Sequence, residues 1–154
     1  MEVMVADLET KVFGSSYGEM SSPQGEIGKP ILEGKYEILE KLGQGGMGTV
    51  YLGRHIHLER DVAIKFLAPQ LEQDPQFRER FFHEAKTLAA LDHPNIVKIL
   101  DMGFEKDRYF FVMERVQGKA LDEYLASHSL SIEEKLRILM EVAKGLEYAH
   151  EKGV

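Results

Sequence analysis

The sequence contains no cysteine. That excludes a disulfide framework, a thiolate zinc site and an iron–sulfur cluster, and it suits a reducing compartment. It also lacks any apolar stretch approaching the ~20 residues of a membrane span. Met1 is followed by Glu2 and Asp7 rather than by the basic start of an export signal. Bases are the scarcer charge, 19 Lys and Arg against 26 Asp and Glu for a formal charge of −7, a balance that does not suit nucleic acid or an anionic membrane. What is present is ordinary for a packed protein: 154 residues, 44% apolar and 29% charged, enough for one domain or part of a larger one. The chain is therefore expected to be soluble and cytoplasmic, with no nucleic-acid partner and no membrane segment of its own.

Charge and composition divide it unevenly. Residues 1–33 hold six acids and two bases, and the middle of this stretch, Gly14 to Gly25, is rich in Gly and Ser. No periodic apolar face emerges there, so 1–33 reads as a flexible leader or linker.

Order is expected from Gly34. Tyr36, Ile38 and Leu42 begin a strand that runs into Gly43-Gln44-Gly45-Gly46-Met47-Gly48, and Thr49-Val50-Tyr51-Leu52 leaves it as a second strand. A dinucleotide fingerprint would need a helix directly after the glycines, and a nucleotide-triphosphatase phosphate loop would need Lys where Thr49 stands. Two readings survive: a plain hairpin, or a hairpin whose missing side chains let backbone amides approach a polyphosphate.

Asp61 to Leu67 reads as a third strand, with Val62, Ile64 and Phe66 on one face and Ala63, Lys65 and Leu67 on the other. Alone, Lys65 could be a lysine whose stem lies along an edge strand. However, Asp74-Pro75 can open a helix that Asp92-His93-Pro94 closes, giving a helix over about 75–91. Phe77, Phe81, Ala85 and Leu88 form its apolar stripe, and Glu84 lies inside that stripe. An acid on a buried face calls for a cation, and Lys65 on the preceding strand is the candidate.

With these residues in view, the sequence resembles the protein kinase family, and especially its bacterial serine/threonine branch. Gly43 to Val50 matches that family's glycine-rich loop, Val62-Ala63-Ile64-Lys65 its lysine-bearing strand, and Glu84 its ion-pairing helix glutamate. His93-Pro94-Asn95-Ile96-Val97 is similar to its connection into the fourth strand, and Tyr109 to Glu114 to the fifth. The resemblance spans about Gly34 to Val154. It implies an α+β fold: a small lobe of a five-stranded antiparallel sheet plus one helix over 34–116, and the first helices of a helical lobe over 117–154.

The resemblance also implies roles. The loop amides of Gly43, Gln44, Gly45, Gly46, Met47 and Gly48 would cover the phosphates of ATP, Leu42 before them would also bind the nucleotide, and Lys65, oriented by Glu84, would hold the α and β phosphates. Val50 and Ala63 would enclose the adenine, with Met113 behind it and the backbone of Glu114 and Val116 hydrogen-bonding its edge. Leu88 and Ile99 would tie the helix to the core. The family often holds the ribose with a polar side chain just after this hinge, where the present sequence has Ala120.

Ser131-Ile132-Glu133-Glu134 is a capping box opening a helix that runs to about Glu151. Its apolar residues cover about 200° of the helical wheel, so partners are expected on several sides, and His150 falls within that arc. Neither the His-Arg-Asp nor the Asp-Phe-Gly motif of the family occurs, so the catalytic base and the magnesium ligands are not in this sequence. The expectation is the ATP-binding part of a kinase, truncated before its catalytic loop and inactive alone. The complete enzyme would transfer phosphate from ATP, with Mg²⁺, to protein Ser or Thr. The alternative is a non-catalytic module that binds nucleotide or a partner. His55 and His57 lack further clustered ligands and read as hairpin residues, not a zinc site. His83 and His93 read as structural.

Overall fold

The computed structural model describes residues 27–45, 48–68 and 86–154. Among the described residues six strands form one antiparallel sheet: β1 (Pro30–Ile31), β2 (Tyr36–Gly45), β3 (Gly48–His55), β4 (Arg60–Leu67), β5 (Ile99–Glu105) and β6 (Arg108–Glu114), in the order β1-β2-β3-β4-β6-β5. Two helices follow, α1 (Leu121–Ser127) and α2 (Ile132–Glu151). The helix expected over 75–91 is seen only in its last turn, 86–89, ending before Asp92. Its earlier residues, including Phe77, Phe81, His83, Glu84 and Ala85, lie outside the described residues.

The sheet departs from the expected five strands by one. Pro30 and Ile31 pair with Glu37 and Tyr36, and Ile31 is 1% exposed within the main core. The leader read as 1–33 therefore gives up its last residues to the fold. A buried isoleucine outweighs the glycine-rich composition that precedes it, and burying such a side chain contributes about 1.5–3 kcal/mol.

Alternation along each strand builds that core. Tyr51, Ile64 and Val112 stand in register across β3, β4 and β6, as do Thr49, Phe66 and Phe110, and all six are buried. Ile31, Tyr36, Ile38 and Val62 complete the cluster. The two margins of the sheet meet over it: Tyr36, at the start of β2, donates from its hydroxyl to Asp101 of β5 at 3.2 Å. The Lys35 ammonium donates to the same carboxylate, and the Leu32 amide donates to Glu105 at 2.7 Å. Burial alone would raise the Asp101 pKa, but the bonds from Lys35, the Met102 amide and Tyr36 together hold it below the usual carboxylate value. The same contact with Asp101 pushes the Lys35 ammonium up, and burial does so for the Tyr36 hydroxyl. The sheet is thus a curled one whose seam is closed by side chains.

Helix α2 begins as the sequence implies. The Ser131 hydroxyl accepts from the Glu134 amide at 3.2 Å, and the Glu134 carboxylate accepts from the Ser131 amide at 2.8 Å. That second bond holds the Glu134 carboxyl below its usual value. Only Ile138 and Gly145 of this helix are buried; Ile132, Leu136, Leu139 and Met140 are exposed. His150, expected within the packed arc, is exposed as well, because no described element covers that side of α2.

Candidate functional site

The face of the sheet opposite the core carries the residues singled out above. Strand pairing places Gly43 against Val50, Val50 against Lys65, and Lys65 against Phe111, one row across β2, β3, β4 and β6. A neighbouring row runs Leu52, Ala63, Met113. Cross-strand partners share a face, so Val50, Ala63, Lys65 and Met113 line one surface, each half-buried. Period-2 alternation explains this: Val62, Ile64 and Phe66 turn inward and leave Ala63 and Lys65 on the other side. Beyond Lys65 the same surface continues into an apolar cluster of Leu67, Tyr109, Met102 and Phe111.

Gly45 pairs with Gly48 and closes the hairpin. Gly46 and Met47 lie outside the described residues. Gly48 has φ 144°, and a Cβ built on it would fall 1.9 Å from the Phe66 carbonyl oxygen, so the fold itself demands glycine there. Gly43 is different: a Cβ there would meet nothing within 4 Å. Leu42, Gly43, Gln44 and Gly45 are all exposed.

The segment after β6 is fixed on two sides. The Glu114 amide donates to the Lys98 carbonyl at 3.0 Å, and the Lys98 amide donates to the Glu114 carboxylate at 2.8 Å. The Arg115 guanidinium is ion-paired with Asp61 at the start of β4. Val116 follows, half-buried. With its amide engaged, Glu114 can offer a ligand its backbone carbonyl. Ala120 is the N-cap residue of α1 and supplies no side-chain cap.

One residue of the expected pair, Lys65, therefore takes its place on the surface, while Glu84 lies outside the described residues. Leu52 and Phe111 share the surface and were not singled out from the sequence, although each is two residues from one that was. His55 and His57 stand with ring centroids 6.4 Å apart, and His55 packs edge-on to Tyr36 and accepts the Leu58 amide at 3.2 Å, a turn-forming role. Among the described residues no group of three or more His, Asp or Glu could hold a metal ion. No helix among them is long and apolar enough to cross a membrane.

Residues 36–154 match the model of the protein kinase domain. The chain belongs to the protein kinase family. Among relatives of this kinase, the serine/threonine-protein kinase PrkC of Bacillus subtilis is 43% identical over 129 residues, which are 83% of this chain and 20% of PrkC. Serine/threonine-protein kinase PknJ of Mycobacterium tuberculosis is 43% identical over 119 residues, 77% of this chain and 20% of PknJ. The crystal structure of a cysteine-to-alanine mutant of the Mycobacterium tuberculosis PknI kinase domain superposes with a TM-score of 0.71 at 33% identity, covering 78% of this chain and 50% of that one. The present chain thus spans about a fifth of the curated relatives and half of the solved kinase domain.

Proposed function

We propose that these residues form the ATP-binding part of a kinase that, when complete, transfers the γ-phosphoryl group of ATP to serine or threonine of a protein substrate. The observation that carries the reading is the row Gly43–Val50–Lys65–Phe111. It sets a lysine two strand spacings, about 10 Å, from a glycine whose missing side chain the fold does not require. A site that brings a polyphosphate against backbone amides needs that open position, and a cation within reach of the same phosphates.

In this reading the hairpin amides over 43–48 cover the phosphates, Lys65 neutralises the α and β phosphates, and Glu84 orients Lys65. Val50 and Ala63 enclose the adenine, Leu42 contacts the nucleotide from the start of the loop, Met113 bounds the space behind the adenine, and the Glu114 carbonyl and Val116 amide meet its edge. Magnesium, which the family uses for phosphoryl transfer, would need ligands other than the described residues. The 154-residue chain alone holds neither the base nor those ligands, so it is proposed to be inactive by itself. Its place of work is proposed to be the cytoplasm.

The test is Lys65→Met in the full-length kinase. Methionine keeps the apolar stem but cannot position phosphates, so phosphoryl transfer should fall by about 10²-fold or more while the melting temperature barely moves. Full turnover by the variant would remove Lys65 from this role.

A further inference from the structure

The edge that meets the adenine contains an irregularity. Ile99 pairs with Met113, and one more step of that register would pair Lys98 with Glu114. An antiparallel pair of the hydrogen-bonded kind exchanges two backbone bonds, each amide donating to the other residue's carbonyl. Only one of the two is made: the Glu114 amide donates to the Lys98 carbonyl at 3.0 Å. The return bond is diverted. The Lys98 amide donates to Oε1 of the Glu114 side chain at 2.8 Å, and the Glu114 carbonyl is left out of the exchange.

From this we infer that the Glu114 carboxylate is a positioning residue for purine recognition: by taking the Lys98 amide it frees the Glu114 carbonyl for a hydrogen-bond donor on the base. The chemistry of the base limits what that donor is. A carbonyl can only accept, and the donor on the hydrogen-bonding edge of adenine is its exocyclic 6-amino group. Without the carboxylate, the Lys98 amide lies one register step from a normal ladder bond to that same carbonyl, and would compete with the ligand for it. The ion pair of Arg115 with Asp61 supports the arrangement by fixing the next residue to β4. The neighbouring pair Val62–Glu114 keeps Glu114 itself in register.

This inference rests on the ATP-binding reading, and its experiment separates the two. KM and kcat are measured on the full-length kinase with ATP and with purine riboside triphosphate, which lacks the 6-amino group. Glu114→Met keeps the side-chain volume but offers no strong acceptor, and Glu114→Gln keeps an acceptor oxygen without the charge. Glu114→Met should raise KM for ATP about fivefold, the worth of one net hydrogen bond, with kcat within about twofold of wild type. KM for the analogue should stay within about twofold, because it has no group to lose that bond, and Glu114→Gln should resemble wild type with both nucleotides. If Glu114→Met does not fold, Glu114→Ala is read in the same way. Equal rises for both nucleotides, a parallel fall in kcat, or a Gln variant as impaired as Met would each overturn the inference while leaving ATP binding intact. A wild-type kinase that transfers no phosphate from ATP would instead overturn the parent reading, and this one with it.

Discussion

Asn95 donates from Nδ2 to Glu141 Oε2 at 3.1 Å, joining residues 46 apart in sequence. Two further contacts flank the bond: His93 stacks on Tyr148 with ring centroids 5.1 Å apart, and the Asp92 amide donates to the Tyr148 hydroxyl at 3.4 Å. Glu141, Gly145 and Tyr148 succeed one another along one side of α2, so the segment leading into β5 is laid along that helix. The strap couples the sheet that carries Lys65 to α2. The Glu141 carboxyl, bonded by Lys144 and by Asn95, is held below its usual value.

Gly145 is where the strap lies closest. A Cβ there would stand 3.4 Å from both Cβ and the carbonyl oxygen of Asn95, ordinary contact rather than a clash. Alanine also favours helix over glycine by about 1 kcal/mol, so Gly145→Ala should be neutral or stabilising by up to that amount in urea denaturation. Gly145→Leu would need the volume held by Asn95 and Ile96 and should cost about 1–3 kcal/mol. A leucine tolerated as well as alanine would mean that α2 is not docked there.

Two glycines of one hairpin should behave oppositely. Gly48→Ala combines a φ that L residues rarely adopt with a contact of 1.9 Å to the Phe66 carbonyl, and should destabilise the fold by about 2–3 kcal/mol. Gly43→Ala meets nothing within 4 Å and should leave the melting temperature unchanged. In the full-length kinase it should nevertheless weaken ATP binding, because the new methyl group occupies the approach to the phosphates. Thermal melts of both variants beside ATP titrations would check this. A Gly43→Ala protein with unaltered ATP affinity would count against the phosphate-covering role.

The seam between the sheet margins should be sensitive to acid. The carboxyl of Asp101 titrates below its ordinary value of 3.8 in the fold, so between the two values the unfolded chain binds more protons. The stability it contributes is therefore present above pH 3.8 and is lost as the pH falls through the folded value. Asp101→Asn should cost about 1–2 kcal/mol at neutral pH, and the gap between variant and wild type should close in acid. A gap that stayed constant from neutral pH down to full protonation would show that the charge of Asp101 contributes nothing.

The 154-residue chain, purified alone, should self-associate and transfer no phosphate. Ile132, Leu136, Leu139 and Met140 are 77%, 54%, 62% and 57% exposed along α2, more apolar surface than a helix ordinarily leaves in water. Light scattering alongside isothermal titration with magnesium-ATP measures both properties. Micromolar binding by a clean monomer, or any transfer to a Ser/Thr substrate, would favour an independent binding module or enzyme over the fragment reading.

Much of this protein is local chemistry that the order of residues determines unaided. Alternation put Val62, Ile64 and Phe66 on one face and Lys65 on the other, and the Ser131–Glu134 capping box set the start of α2, because both depend only on neighbours a few residues away. Tertiary structure decided what depends on distant partners. Ile31 is core because β2 lies beside it and Leu32 reaches β5, neither of which the composition of 1–33 reveals. Leu52 and Phe111 joined the Lys65 surface through strand register, and His150 stayed exposed because no described element packs over it. The diverted bond between Lys98 and Glu114 likewise exists only once β5 and β6 lie side by side, since a side chain can compete with a backbone carbonyl for an amide only when folding brings all three together.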